Sequence, residues 1–227
     1  MQSTLPRLGP SPLRRTGERA SPEDDRPEAR RRLHATLVGM AVLPIRIAGD
    51  PALHSPASPV IEFDETLRTL VANMFETMDA APGVGLAGPQ VGVPLRLFVY
   101  DYAADDGTPR RGVAINPELF VTPPPLGEAD EDTESEGCLS FPGERFPLRR
   151  SERAILRAVD LEQTPFEIEA EGWFARVFQH EFDHLDGILY IDRLEHDYRK
   201  PVQKITRKRG WGAPGVSWLP GVDHLED

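Results

Sequence analysis

The stretch "FQHEFDHLDGILY", residues 178–190, sets His180 and His184 four residues apart with Glu181 beside the first. On a helix this H-E-x-x-H spacing turns two imidazoles toward one metal ion and leaves a carboxylate for proton transfer. That is the chemistry of metal-assisted hydrolysis. Without a metal, two buried imidazoles and a buried carboxylate would each need another partner. A metal that activates water usually takes three protein ligands and keeps one position open. The third ligand therefore has to come from elsewhere in the chain.

The sequence just downstream does not supply it. Metzincin proteases place a third His six residues after the second, but that position is Tyr190, whose phenol has an ordinary pKa of about 10 and ligates poorly at neutral pH. A thermolysin-type site takes a downstream Glu from a following helix. Glu195 is too near for that and Glu226 stands among the last residues. Upstream, "ESEGCLSFPG" carries Cys138, the single cysteine of the chain. A lone Cys can be a small buried hydrophobe. Beside two histidines that lack a partner ligand, it is the candidate that completes the site. A thiolate and two neutral imidazoles around a divalent ion carry a net charge of +1. Soft sulfur widens the choice of metal to Fe(II), Ni, Co or Zn. A zinc endopeptidase with this Cys/His/His set is the alternative that the residues alone leave open.

These side chains need rigid supports. From Gly172 the pattern is helical: Trp173, Val177, His180 and His184 share one face, Phe174, Phe178, Phe182 and Leu185 line the next, and Gly187 ends the run. A helix apolar on two faces is buried. Strands flank it in sequence. "RAILRAVDLE" reads as one, and in "TPFEIEAEG" Phe166, Ile168 and Ala170 alternate with glutamates. Nearer the N-terminus, Leu67, Leu70, Val71, Met74, Phe75 and Met78 predict a helix over 64–80 with Asp64 as N-cap. The loop "APGVGLAGPQVGVP", the strands "LRLFVYDY" and "GVAINPELFV", and a solvated acidic loop "GEADEDTESEG" follow. The fold class expected is α+β, with antiparallel or mixed strands packed around a central helix carrying H-E-x-x-H. Residues 1–35, rich in Pro, Arg, Ser and Glu, read as a disordered leader. Residues 36–198 read as the catalytic domain, and 199–227 as a basic, then Gly-, Pro- and Trp-containing tail.

A net charge of −11 argues against general nucleic-acid affinity, and no specific DNA partner is expected. No run is long and apolar enough for a transmembrane helix, and the N-terminus lacks the apolar core of a secretory signal. One cysteine excludes an internal disulfide, so a reducing cytoplasm is the expected compartment. The basic residues Arg199, Lys200, Lys204, Arg207, Lys208 and Arg209 suggest transient ribosome contact, with a solvated basic segment as the alternative.

Three motifs in order resemble those of the peptide deformylases, bacterial and in particular actinobacterial members. They are "GVGLAGPQ" (83–90), "EGCLS" (136–140) and "QHEFDHLDG" (179–187), with "GDPAL" (49–53) similar to the family's N-terminal region. The resemblance spans about residues 40–198. One departure is Gly88, where Ala is commoner; the smaller residue spares the fold and is expected to loosen the loop. The resemblance implies removal of the formyl group from N-formylmethionine on nascent polypeptides, with Fe(II) as the expected metal on Cys138, His180 and His184. Glu181, unable to face the metal beside His180, is the general base and acid. By family analogy, the Gln90 side chain and the Leu139 backbone N–H bind the oxyanion, a role that contributes about 3 kcal/mol. Val84, Gly85, Trp173 and Val177 are candidate walls of the methionine pocket. Glu136 is expected to pack or pair near the site, and Asp183 and Gln179 to make supporting contacts. His34, His54, His196 and His224 read as surface residues.

Overall fold

Residues 41–103 and 109–225 are described by the structure, a computed structural model; the leader expected over 1–35 lies outside them. In chain order the strands are β1 (Ile45–Arg46), β2 (Gly85–Ala87), β3 (Leu97–Ala103), β4 (Pro109–Val121), β5 (Ser135–Cys138), β6 (Phe141–Pro147), β7 (Arg153–Val159), β8 (Pro165–Glu171) and β9 (Ser217–Trp218). The α-helices are α1 (Glu65–Ala80), α2 (Gly172–Leu185) and α3 (Arg199–Arg209). The fold class is α+β.

β2, β3, β4, β7 and β8 form one sheet in that order, each neighbouring pair antiparallel. Its two faces explain the unbroken apolar run of β3. Successive side chains of a strand point to opposite faces. Leu97 and Val99 join a cluster with Leu67, Val71, Met74 and Met78 of α1. Phe98 and Tyr100 join a second cluster with Phe174, Ala175, Val177 and Phe178 of α2. β3 is thus covered on both sides, and both faces must be apolar.

α1 begins as its sequence predicts, the Asp64 carboxylate accepting from the Leu67 N–H at 3.0 Å. The long strand β4 is interrupted at Asn116-Pro117, where the register shifts between Ile115 and Glu118. Asn116 has a left-handed φ of 50°, and its amide brackets Val60, donating to the carbonyl and accepting from the N–H at 2.8 Å each. Proline gives no ladder N–H, so a bulge is the place where the strand tolerates it.

The acidic stretch 127–137 is not loop throughout. Its last residues form β5, which pairs with β6 and buries Glu136. The segment after Tyr198 also differs from a plain tail. α3 lays Val202 and Ile205 against a third cluster that contains Cys138, Phe141 and Tyr190. The chain then returns as β9, antiparallel to β1, with Trp218 1% exposed.

Candidate metal centre

β5 ends on Cys138, and α2 carries His180 and His184 one turn apart. All three residues are buried, and one ligand atom from each lies within 4.8 Å of the others. The Cys138 sulfur is 3.3 Å from His184 Nε2. One sulfur and two ring nitrogens converging beside an open pocket fit a divalent metal ion. Tyr190, at the position of the absent third His, points elsewhere: its hydroxyl donates to the Glu144 carbonyl at 3.1 Å, bracing β6.

Glu181 faces the same pocket. Its Oε2 is buried and finds no protein partner among the described residues, and neither does His184 Nδ1. Burial pushes the Glu181 carboxyl up to about 7, because desolvation disfavours the charged form. The same effect holds the His184 ring well below its ordinary range. Gly85, on β2, makes room for the carboxylate, since a Cβ there would lie 2.4 Å from Glu181 Oε1.

Gln90 sits in the 3-10 turn Gly88–Val91 that follows β2. Its Oε1 accepts from the Ala87 N–H at 2.8 Å, which fixes the amide's orientation. Its Nε2 then donates to Ser140 Oγ at 3.3 Å and lies 3.8 Å from the Cys138 sulfur. Leu139 opens the two-residue turn between β5 and β6. Among the described residues no turn or loop bond takes up its N–H. Gln90, Cys138, Leu139, His180 and Glu181 line a cavity of ≈ 580 Å³, and so do Val84, Gly85, Trp173 and Val177. Val84 and Trp173 are about half exposed and stand at its mouth.

A profile of the family described as polypeptide deformylase matches residues 42–200. The chain belongs to that family. A peptide deformylase of Mycolicibacterium smegmatis is 50% identical over 189 residues, covering 80% of this chain and 96% of its own. A deformylase structure from Legionella pneumophila superposes with a TM-score of 0.64 at 39% identity, covering 75% of this chain and 96% of that one. A Met-Ala-Ser-bound deformylase from Acinetobacter baumannii gives 0.60 at 32% identity, covering 69% and 100%.

In this deformylase a buried ionic cluster lies behind the histidines. His180 Nδ1 donates to Glu136 Oε1 at 2.6 Å, leaving Nε2 for a ligand. Arg150 bridges two carboxylates, reaching Glu136 at 2.7 Å and Asp183 at 2.6 Å. Arg176 adds a bond to Glu136 at 3.0 Å, and Arg193 a forked pair to Asp183 at 2.6 Å. Burial alone would raise the Glu136 carboxyl. The Arg150 guanidinium and the His180 ring outweigh burial and hold it far below its usual range. Asp183 is therefore an anchor for two arginines, and Gln179 brackets the Ser151 backbone. Arg150, Arg176 and the cavity residues Tyr102, Glu144 and Arg145 went unread in the sequence. No local spacing marks them.

Gly88 has a steric reason. A Cβ there would meet the carbonyl oxygens of Val93 and Leu95 at 2.9 Å each. The missing methyl lets residues 93–95 close onto the turn that carries Gln90, so the loop is tightened rather than loosened. His54 and His196 are exposed, and His54 Nε2 accepts from the Gly49 N–H at 3.0 Å.

Proposed function

We propose that this deformylase hydrolyses the formamide of N-formylmethionine at the start of nascent polypeptides, with Cys138, His180 and His184 as ligands of one divalent ion. Fe(II) is the ion expected from the family resemblance, with Ni, Co or Zn able to take the same donors. The observation that carries the reading is the convergence of the three ligand atoms within 4.8 Å beside a buried Glu181 carboxylate whose Oε2 finds no partner among the described residues. When bound, a divalent ion supplies Lewis acidity that lowers the pKa of water toward neutrality.

The protein's own groups do the rest. Glu181 accepts the proton of the attacking water and returns it to the departing amine. In the metal-free site burial raises this carboxyl above its ordinary range, the direction that helps it hold the proton between the two transfers. As the formyl carbon becomes tetrahedral, its oxygen takes hydrogen bonds from Gln90 Nε2 and the Leu139 N–H, fixed donors that need no reorganisation. Val84, Gly85, Trp173 and Val177 wall the pocket that receives the methionine side chain. The Met-Ala-Ser bound to the Acinetobacter relative supports a peptide lying in this cavity.

Protein purified without oxygen and loaded with Fe(II), Ni or Zn is expected to release formate from formyl-Met-Ala-Ser, and Cys138→Ser and Glu181→Ala to abolish release. No formate with any metal would overturn the reading. Cleavage of internal peptide bonds regardless of formylation would replace it with the endopeptidase.

The compartment expected is the cytoplasm; among the described residues no helix is long and apolar enough to cross a membrane. α3 exposes Arg199, Lys200, Lys204, Arg207 and Lys208 on an otherwise acidic protein, which supports transient contact with the ribosome. Because the segment after α3 is folded into the core, charge reversal at Lys200, Lys204 and Lys208 is a cleaner test than truncation. Unchanged co-sedimentation with ribosomes at low salt would sink the contact.

A further inference from the structure

The segment beyond residue 200 lies outside the family match, yet it reaches the active-site turn. Trp218 of β9 is fully buried, and its indole Nε1–H donates to the Leu139 carbonyl at 2.8 Å. The next N–H, that of Ser140, points back to the Cys138 sulfur at 3.3 Å. The Leu139–Ser140 peptide unit is thereby held at both ends, its oxygen by Trp218 and its N–H by the ligand sulfur. The Ser140 carbonyl in turn accepts from the Ala48 N–H at 2.8 Å. Ala48 belongs to the segment after β1, the strand paired with β9, and its own carbonyl accepts from the Gly212 N–H at 3.0 Å.

We infer that Trp218 is a positioning residue for the reaction: through the Leu139 carbonyl it fixes the direction of the Leu139 N–H. This rests on the proposed use of that N–H as an oxyanion donor. The physical argument concerns a single rotatable residue. Cys138 is constrained on one side of Leu139 as a metal ligand. If the peptide plane on the other side is clamped, the Leu139 backbone dihedrals have little freedom, and the N–H keeps its aim into the cavity. A two-residue turn between β5 and β6 has no ladder bonds of its own to do this. A donor preset toward the developing charge costs nothing to reorient in the transition state. A buried indole N–H needs an acceptor in any case. What sets this bond apart is that the acceptor belongs to the very residue whose N–H is the proposed oxyanion donor.

The test replaces Trp218 site-specifically with 3-benzothienylalanine, whose ring sulfur stands where the indole N–H was. Shape and packing are kept and only the donor is lost. The expected result is a fall in kcat for formyl-Met-Ala-Ser of about tenfold, part of what deleting an oxyanion donor removes. KM and the Co(II)–thiolate absorption band should stay unchanged. An unchanged kcat overturns the inference. So does a lower kcat accompanied by an altered Co(II) band, which would place the effect on Cys138. Amide exchange of metal-free protein supplies a second readout, independent of turnover. Faster exchange in the variant at Ser140, the amide of the clamped unit that donates to the Cys138 sulfur, supports the clamp, and equal exchange overturns it. Inactivity of the unmodified enzyme with every metal would instead strike the parent reading, and the exchange measurement would still decide this one.

Discussion

Gly85 and Glu181 are close enough that no side chain fits between them, a Cβ on residue 85 falling 2.4 Å from the carboxylate. Gly85→Ala should therefore displace Glu181 without touching the proposed ligands Cys138, His180 and His184. With Glu181 as the proposed general base, we expect kcat/KM for formyl-Met-Ala-Ser to fall by about a hundredfold or more, the range such a group contributes. Metal content by atomic absorption should stay at the parent value. Retained activity would show that Glu181 can act from another rotamer.

Arg150 joins Glu136, which orients His180, to Asp183, one residue before His184. Arg150→Met leaves two buried carboxylates facing each other with less compensation. Removing one partner from a buried charge cluster typically costs about 3–5 kcal/mol, and loosening a ligand's support weakens metal affinity by about 10–100-fold. Thermal melting and Co(II) titration against a competing chelator measure the two effects. A variant with full stability and unchanged affinity would assign the cluster no supporting role.

In metal-free protein, Glu181 makes stability depend on pH in a direction opposite to most carboxylates. Its folded-state pKa of about 7 lies above the ordinary 4.5. Between those values the unfolded chain has released a proton that the folded chain keeps, so stability falls as pH rises through this window. Glu181→Gln removes the loss. Relative to the metal-free parent the variant should gain melting temperature from pH 4 to pH 8. A difference independent of pH would refute the buried-carboxyl account.

Gly88→Ala restores the residue commoner in the family, yet it should destabilise this chain. The added methyl meets two backbone carbonyl oxygens at 2.9 Å, and forcing atoms into a close-packed site costs about 1–3 kcal/mol. Urea unfolding is the measurement. A neutral or stabilising effect would mean that residues 93–95 relax freely.

The parts of this protein that the sequence disclosed are those with a repeating or local signature. The apolar spacing of α1 and α2, the alternation in β8, and the fixed intervals of H-E-x-x-H and "EGCLS" can each be read within a window of a few residues. The cluster of Glu136, Arg150, Arg176, Asp183 and Arg193 could not be read that way, because its members come from β5, α2 and loops that only the fold brings together. Glu136 closes an acidic run that reads as solvated; it packs near the site as expected, but the arginines from two other segments that neutralise it have no local signature. Gly88 looked like a loosened loop because the carbonyls that crowd it, those of Val93 and Leu95, depend on how the chain doubles back.

The pairing of β1 with β9 has a kinetic corollary. Ile45 and Trp218 meet across most of the described chain through a ladder of two residues on each side. Closing so long a loop costs entropy that such a short ladder cannot offset by itself, so these strands dock only once the surrounding apolar surfaces exist to receive the indole. Contacts of that separation form late. During refolding, helical signal and sheet should return first. Full turnover should lag behind them, arriving when the Trp218 fluorescence reaches its native value.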